Sequence, residues 1–216
     1  MSTRGGYGFV IDGKETIVYT GSGTEIDGLG NQIVQWLKTV SFERIKQSLA
    51  NLQEVKASES VTPEDIFLIT QNVGTIPRPR YGKEIETWKE LLYLGENDPK
   101  FLLDSGYFVD GSWIISSPDL EYFYMIDLDK KRLEIYHGAT RDGGRSGRFG
   151  KISMPDKNAN NGHHPVLFAM YPLENLPQNL DWLEENKYDL MPAWFIRDKP
   201  VYDTSGDPTF IHPDNF

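Results

Sequence analysis

Three stretches of this 216-residue sequence combine residue types that do chemistry. The first is the start, MSTRGG. Methionine aminopeptidases remove Met1 when a small residue follows, and Ser2 is small. The freed α-amine titrates near ~8, so it can take a proton from the hydroxyl of its own residue at neutral pH. Amine and hydroxyl on one residue need no separate orienting group. Ser2 is thus a candidate nucleophile, conditional on removal of Met1, against the plainer reading of a lead-in to a strand. Arg4 lies at the start of that strand. An unpaired buried charge is costly, so it must reach solvent, meet an acid or meet a bound anion.

The second stretch is RDGGRSGRFG at 141–150, where Arg141, Arg145 and Arg148 alternate with glycines. Guanidinium forks and exposed backbone N–H groups can close on a phosphate or carboxylate, which makes these three arginines candidate ligand-binding residues. The alternative is a solvated hairpin loop. The spacing matches neither a phosphate-binding P-loop nor a dinucleotide fingerprint, so no cofactor is implied. The third stretch is NNGHHP. Adjacent His163 and His164 point to opposite sides of an extended chain, and no standard metal-ligand spacing accompanies them. No metal site is expected. His137 closes an alternating run, and His212 sits among the turn-forming pairs Asp207-Pro208 and Pro213-Asp214.

The elements that must position these groups follow from pattern. Residues 5–11 and 15–20 flank Asp12-Gly13-Lys14, a strong hairpin signal. Residues 21–28 read as loop. Leu29, Ile33, Trp36, Leu37 and Val40 then fall at helical spacing. A second helix is expected over 42–55 behind Ser41 as N-cap, and a third at Thr62-Pro63-Glu64-Asp65, where a capping hydroxyl, a first-turn proline and two acids coincide. Residues 73–83 form a Pro/Gly loop. Helices follow at about 84–94 and after Asp98-Pro99. From Gly106 the chain turns β-rich: YFVD, SWIIS, EYFYMIDLD and RLEIYHG, with Tyr122, Tyr124, Ile126 and Leu128 on one face. A short strand at 151–154, a buried strand at 166–171 and a last helix at 178–187 complete the reading, before a loop-like tail. The arrangement is α+β, with mainly antiparallel sheet and helices inserted between an N-terminal hairpin and a C-terminal sheet. It is expected as one domain over 1–216: hairpin 5–20, helical region 29–105, and sheet and loops 106–216.

Composition narrows the functions. The chain is 38% hydrophobic and 12% aromatic, which argues against disorder. With 22 Lys+Arg against 32 Asp+Glu its formal charge is -10, and such a surface repels nucleic-acid backbones. The absence of cysteine removes disulfides and thiolate chemistry. No run approaches a membrane span and no apolar leader opens the chain, so a soluble cytoplasmic protein is expected. No oligomer signature stands out.

Two blocks carry a resemblance. Met-Ser-Thr-Arg-Gly-Gly-Tyr-Gly-Phe, Asp12-Gly13-Lys14, Tyr19 and Asp27-Gly28-Leu29-Gly30 form one; Glu121 to Asp129 with Leu133 to Gly138 form the other. Together they resemble a largely uncharacterised family of bacteria, phages and fungi whose members begin Met-(Cys/Ser/Gly)-Thr-Arg-Gly. The start is also similar in layout to N-terminal-nucleophile (Ntn) hydrolases such as bile-salt hydrolases and glutamine amidotransferases. The resemblance implies an Ntn-hydrolase-like αββα sandwich, an amide-bond hydrolase with Ser2 as nucleophile, and Arg4 as a residue that anchors substrate. The family's His-aromatic-Asp triplet, however, is Gly21-Ser22-Gly23 here, and its Ser-Tyr-Pro is Thr24-Glu25-Ile26. That departure points to a non-catalytic or degenerate member binding a small anionic ligand or a protein partner. The occurrence of relatives in phages adds a third reading, an accessory protein of phage–host conflict.

Overall fold

The computed structural model describes residues 3–75, 84–140, 147–151 and 164–185. Strands β1 (Gly5–Ile11) and β2 (Lys14–Thr20) form the expected hairpin. Its two turn residues, Asp12 and Gly13, have φ of 51° and 72°. That is the left-handed pair which matches the twist of the strands, and it suits Asp-Gly. Asp129, from the turn between two later strands, clamps this hairpin: its carboxylate accepts from the N–H groups of Asp12 and Gly13 at 2.9 and 2.8 Å.

A single wide turn over Ile26–Gly30 leads into helix α1 (Asn31–Leu37), so the regular helix begins two residues after Leu29. Helix α2 (Phe42–Ala50) starts where expected, with the Ser41 hydroxyl accepting from Arg44 N. It stops short of residue 55 because Gln53–Glu54 (β3) leaves to pair in parallel with Tyr107–Phe108 (β4). Helix α3 (Pro63–Val73) carries a reciprocal capping box between Thr62 and Asp65. A second box between Thr87 and Glu90 sets the start of α4 (Trp88–Tyr93) later than the pattern suggests. Helix α5 (Pro99–Ser105) follows Asp98 as cap. One expectation is corrected: SWIIS is not a strand but a 3-10 helix, Ser112–Ser116. Asp110 draws it into a turn by accepting from Ser112 N and Ser112 Oγ at 3.1 and 2.7 Å.

Strands β5 (Tyr122–Asp127), β6 (Arg132–Thr140) and β7 (His164–Pro172) then form an antiparallel meander. The hairpin joins it through β1 beside β5, in parallel, giving the order β2-β1-β5-β6-β7. The fold is therefore α+β with a five-stranded, mostly antiparallel sheet, and the helices enter between the two halves of that sheet. A 3-10 turn, Arg148–Lys151, lies at the start of the expected 151–154 strand, whose remainder is outside the described residues. The last helix is present at 181–185. Among the described residues no helix is long and apolar enough to cross a membrane.

The sheet is buried on both faces. One face sets Tyr7, Phe9, Tyr124, Ile126, Leu133 and Ile135 against Ile33, Val34 and Leu37 of α1, Ile45 of α2 and Leu102 of α5. The other sets Val10, Ile17, Phe123, Met125, Tyr136 and Leu167 against Ile114, Ile115 and Phe149. A satellite core of Ile69, Trp88, Leu91 and Phe101 ties α3 and α4 to α5. The outer edge of β2 is capped by Gly111, whose N–H donates to Ile17 O at 2.9 Å.

Candidate functional site

The structure brings the two family-like blocks together. β1 runs beside β5, and Gly30 lies so close to Tyr124 that an added Cβ would stand 2.9 Å from its hydroxyl. Tyr124, fully buried, donates that hydroxyl to Thr24 O at 2.9 Å. The contact fixes the loop after β2 over the head of β1. Thr24 N in turn donates to Thr3 Oγ1 at 3.1 Å, which brings the chain just after Ser2 to the same place.

At this head of β1 several buried polar atoms lack a partner within the described protein: the hydroxyls of Tyr7, Thr20 and Thr24, and Asn97 Oδ1. All three hydroxyl-bearing residues have 0% exposure. Thr20 pairs across from Gly5. Thr24 Oγ1 is 3.1 Å from the point where a Gly5 Cβ would stand, and Asn97 Nδ2 is 3.2 Å from the same point on Gly23. Tyr7 faces the helices two residues further along β1, beside Asp98 and Glu96. Burial first, then these two carboxylates, push its phenol well above the ordinary range. A buried hydroxyl without a partner costs roughly 1–3 kcal/mol, so several at one place mark a candidate site. Their chemistry is that of a small buried polar cluster: hydroxyls that donate or accept, and one amide oxygen that accepts.

The surroundings are aromatic and acidic. Tyr19 stacks on Trp113 with ring centroids 4.8 Å apart, and Trp113 is 56% exposed. Arg4 donates to Asp119 at 2.9 Å, both half-exposed, so it has met one of the acids. His137 stands in the row Thr20, Gly5, Tyr122, His137 across four strands, its ring edge-on to Tyr122 at 4.9 Å. Ser2, Arg141 and Arg145, with His163 and His212, lie outside the described residues.

Arg148 is described, and it lies at the other end of the sheet. Its Nε donates to Glu134 at 3.2 Å, its Nη1 to Glu15 at 3.0 Å and its Nη2 to Asp127. Glu134 also accepts from Arg132 Nε at 2.7 Å and from the Tyr136 hydroxyl at 2.6 Å, while Tyr136 accepts from Arg148 N at 3.2 Å. Burial opposes the Arg148 charge, but Glu134 and Asp127 outweigh it and hold the guanidinium ionised. Burial, and then Glu134, keep the Tyr136 phenol neutral. Residue spacing singled out Arg148 but not the carboxylates that occupy it. The signal was in β6, where Arg132, Glu134 and Tyr136 alternate onto one face.

A surface groove of about 410 Å³ between α2 and α5 contains Ser41, Arg44, Lys100 and Asp104. Its two cations both bind Asp104, at 3.0 and 2.7 Å. No group of three or more metal-ligating side chains is arranged for a metal among the described residues.

The class defined by this arrangement is an α+β protein with a mixed five-stranded sheet and a cluster of buried, unpartnered polar groups at the head of its first strand. Compared with known proteins, the chain matches no family model, no curated protein and no solved structure.

Proposed function

We propose that this protein is a non-catalytic ligand-binding member of an Ntn-hydrolase-like layout, its site at the head of β1. The observation that carries the reading is the gathering of unpartnered, fully buried hydroxyls of Tyr7, Thr20 and Thr24 where the N-terminal segment arrives. The glycines in place of the His and Asp of the family-like triplet favour binding over catalysis. In this reading the αββα sandwich is retained only in part, since the described residues supply one five-stranded sheet with α-helices on one face and 3-10 turns on the other.

The second reading is an amide-bond hydrolase with Ser2 as nucleophile. It is favoured by the Thr3–Thr24 bond, which leads the residue after Ser2 to this cluster, and by His137 in the row of Gly5. Intact mass decides between them: retention of Met1 leaves Ser2 without a free amine and ends the hydrolase. The site itself is tested by amide shifts of ¹⁵N-labelled protein titrated with choline, acetate, phosphate and acetamide. At least one probe is expected to move the signals of Thr3–Gly8, Thr20–Thr24 and Tyr93–Asn97. Silence there with all four would overturn the assignment.

A further inference from the structure

Asp-Gly is a dipeptide at which a chain rearranges its own backbone. The glycine amide nitrogen gives up its proton and attacks the side-chain carbonyl carbon of the aspartate. A C–N bond forms, a C–O bond breaks, and water leaves. The cyclic imide then takes water back at either carbonyl. Opening at the side-chain carbonyl restores aspartate. Opening at the backbone carbonyl gives isoaspartate, whose chain runs through the side chain, with no net gain or loss of atoms. Glycine favours the step because no Cβ hinders its nitrogen.

Among the described residues three Asp-Gly pairs occur, at Asp12-Gly13, Asp27-Gly28 and Asp110-Gly111. Each glycine N–H is already donated, but not to the same kind of acceptor. Gly28 N donates to Glu25 O at 3.1 Å and Gly111 N to Ile17 O at 2.9 Å, both backbone carbonyls that no side-chain change removes. Asp110 also has its own carboxylate engaged by Ser112. Gly13 N donates instead to Asp129 Oδ2 at 2.8 Å, and Asp12 N to the other oxygen of that carboxylate at 2.9 Å. Asp12, Gly13 and Asp129 are all exposed. A carboxylate there resists the attack twice over: it holds the proton that must leave, and its charge disfavours a negative nitrogen beside it.

We propose that Asp12-Gly13 is a latent site of isoaspartate formation and that Asp129 guards it. The product would act beyond the turn. Isoaspartate adds a backbone atom where Ile11 pairs with Lys14 and Val10 with Glu15, a register that the tight turn sets. Glu15 is also the residue that accepts from Arg148 Nη1 at 3.0 Å, so the lesion reaches the network at that end of the sheet.

The test is incubation of the full chain, as parent, Asp129→Ala and Asp129→Asn, at neutral pH and physiological temperature. Isoaspartate is quantified by enzymatic methylation and located by peptide mapping, with circular dichroism to follow the fold. Asp129→Ala should accumulate it at Asp12 about tenfold or more faster than the parent, the protection that hydrogen bonds to a charged group supply. Asp129→Asn keeps one acceptor oxygen and should fall between the two; it carries the test alone if Asp129→Ala loses its fold. Asp27 and Asp110 should convert no faster in either variant than in the parent. Equal rates at Asp12 in the parent and the folded variants overturn the proposal. So does a rise at Asp27 and Asp110 that matches the rise at Asp12, because it marks a general loosening rather than the loss of a guard.

Discussion

The two ends of the sheet both bury polar groups, and they treat them in opposite ways. At the Arg148 end Glu134 is fully buried and takes hydrogen bonds from Arg132, Arg148 and Tyr136. At the head of β1 the hydroxyls of Tyr7, Thr20 and Thr24 are as deeply buried and have no protein partner. The charged groups of the closed network satisfy one another, and they tie the segment carrying Arg148 down onto β2, β5 and β6. An unsatisfied one carries a cost that a stability-only fold would shed. On the proposed reading, the contrast makes one end structural and the other the candidate binding site.

The largest effect should come from breaking the closed end. Glu134→Leu leaves Arg132 and Arg148 without their shared carboxylate in a buried setting. We expect a loss of about 3–5 kcal/mol by urea unfolding. A change under about 1 kcal/mol would mean that the network contributes little, and the contrast would lose one side. Next in size is Gly30→Ala. The new methyl would press on Tyr124 at 2.9–3.1 Å and displace its bond to Thr24, which should cost about 1–3 kcal/mol by urea unfolding. Unchanged stability would show that the Tyr124 contact does not hold the loop over the head of β1.

A smaller effect belongs to the hairpin. The N–H groups of Gly13 and Asp12 hold the Asp129 carboxyl below the usual carboxylate range. A folded value below the unfolded one gives stability that is present above about pH 4 and is lost as the pH falls through the folded value. Asp129→Asn should therefore lower the melting temperature at pH 7, and the gap from the parent should close toward pH 2. A gap independent of pH would show that the ionised carboxylate is not what clamps the turn.

Much of the fold was legible because its signals are local. Asp12-Gly13 dictates a hairpin turn, Thr62 with Asp65 dictates a helix start, and Tyr122, Tyr124 and Ile126 alternate onto one core. SWIIS was misread because a short apolar run fits a strand or a turn equally, and the deciding bonds come from the Asp110 side chain. The parallel pairing of β1 with β5 joins residues more than a hundred positions apart, and no local pattern encodes it. The site divides likewise. The sequence leaves Arg4 with solvent, an acid or a bound anion as its partner, and it meets Asp119, whereas the acids that claim Arg148 lie 14, 21 and 133 residues away.

The comparison rests finally on Thr20 and Thr24. The most direct measurement is the thermal unfolding of Thr20→Val/Thr24→Val without added ligand. Removing two unpartnered buried hydroxyls while keeping their shape should raise the melting temperature, the reverse of Glu134→Leu, with a gain of about 1 kcal/mol or more. A lower melting temperature would show that these hydroxyls are satisfied parts of the fold, and the head of β1 would then be as structural as the Arg148 end.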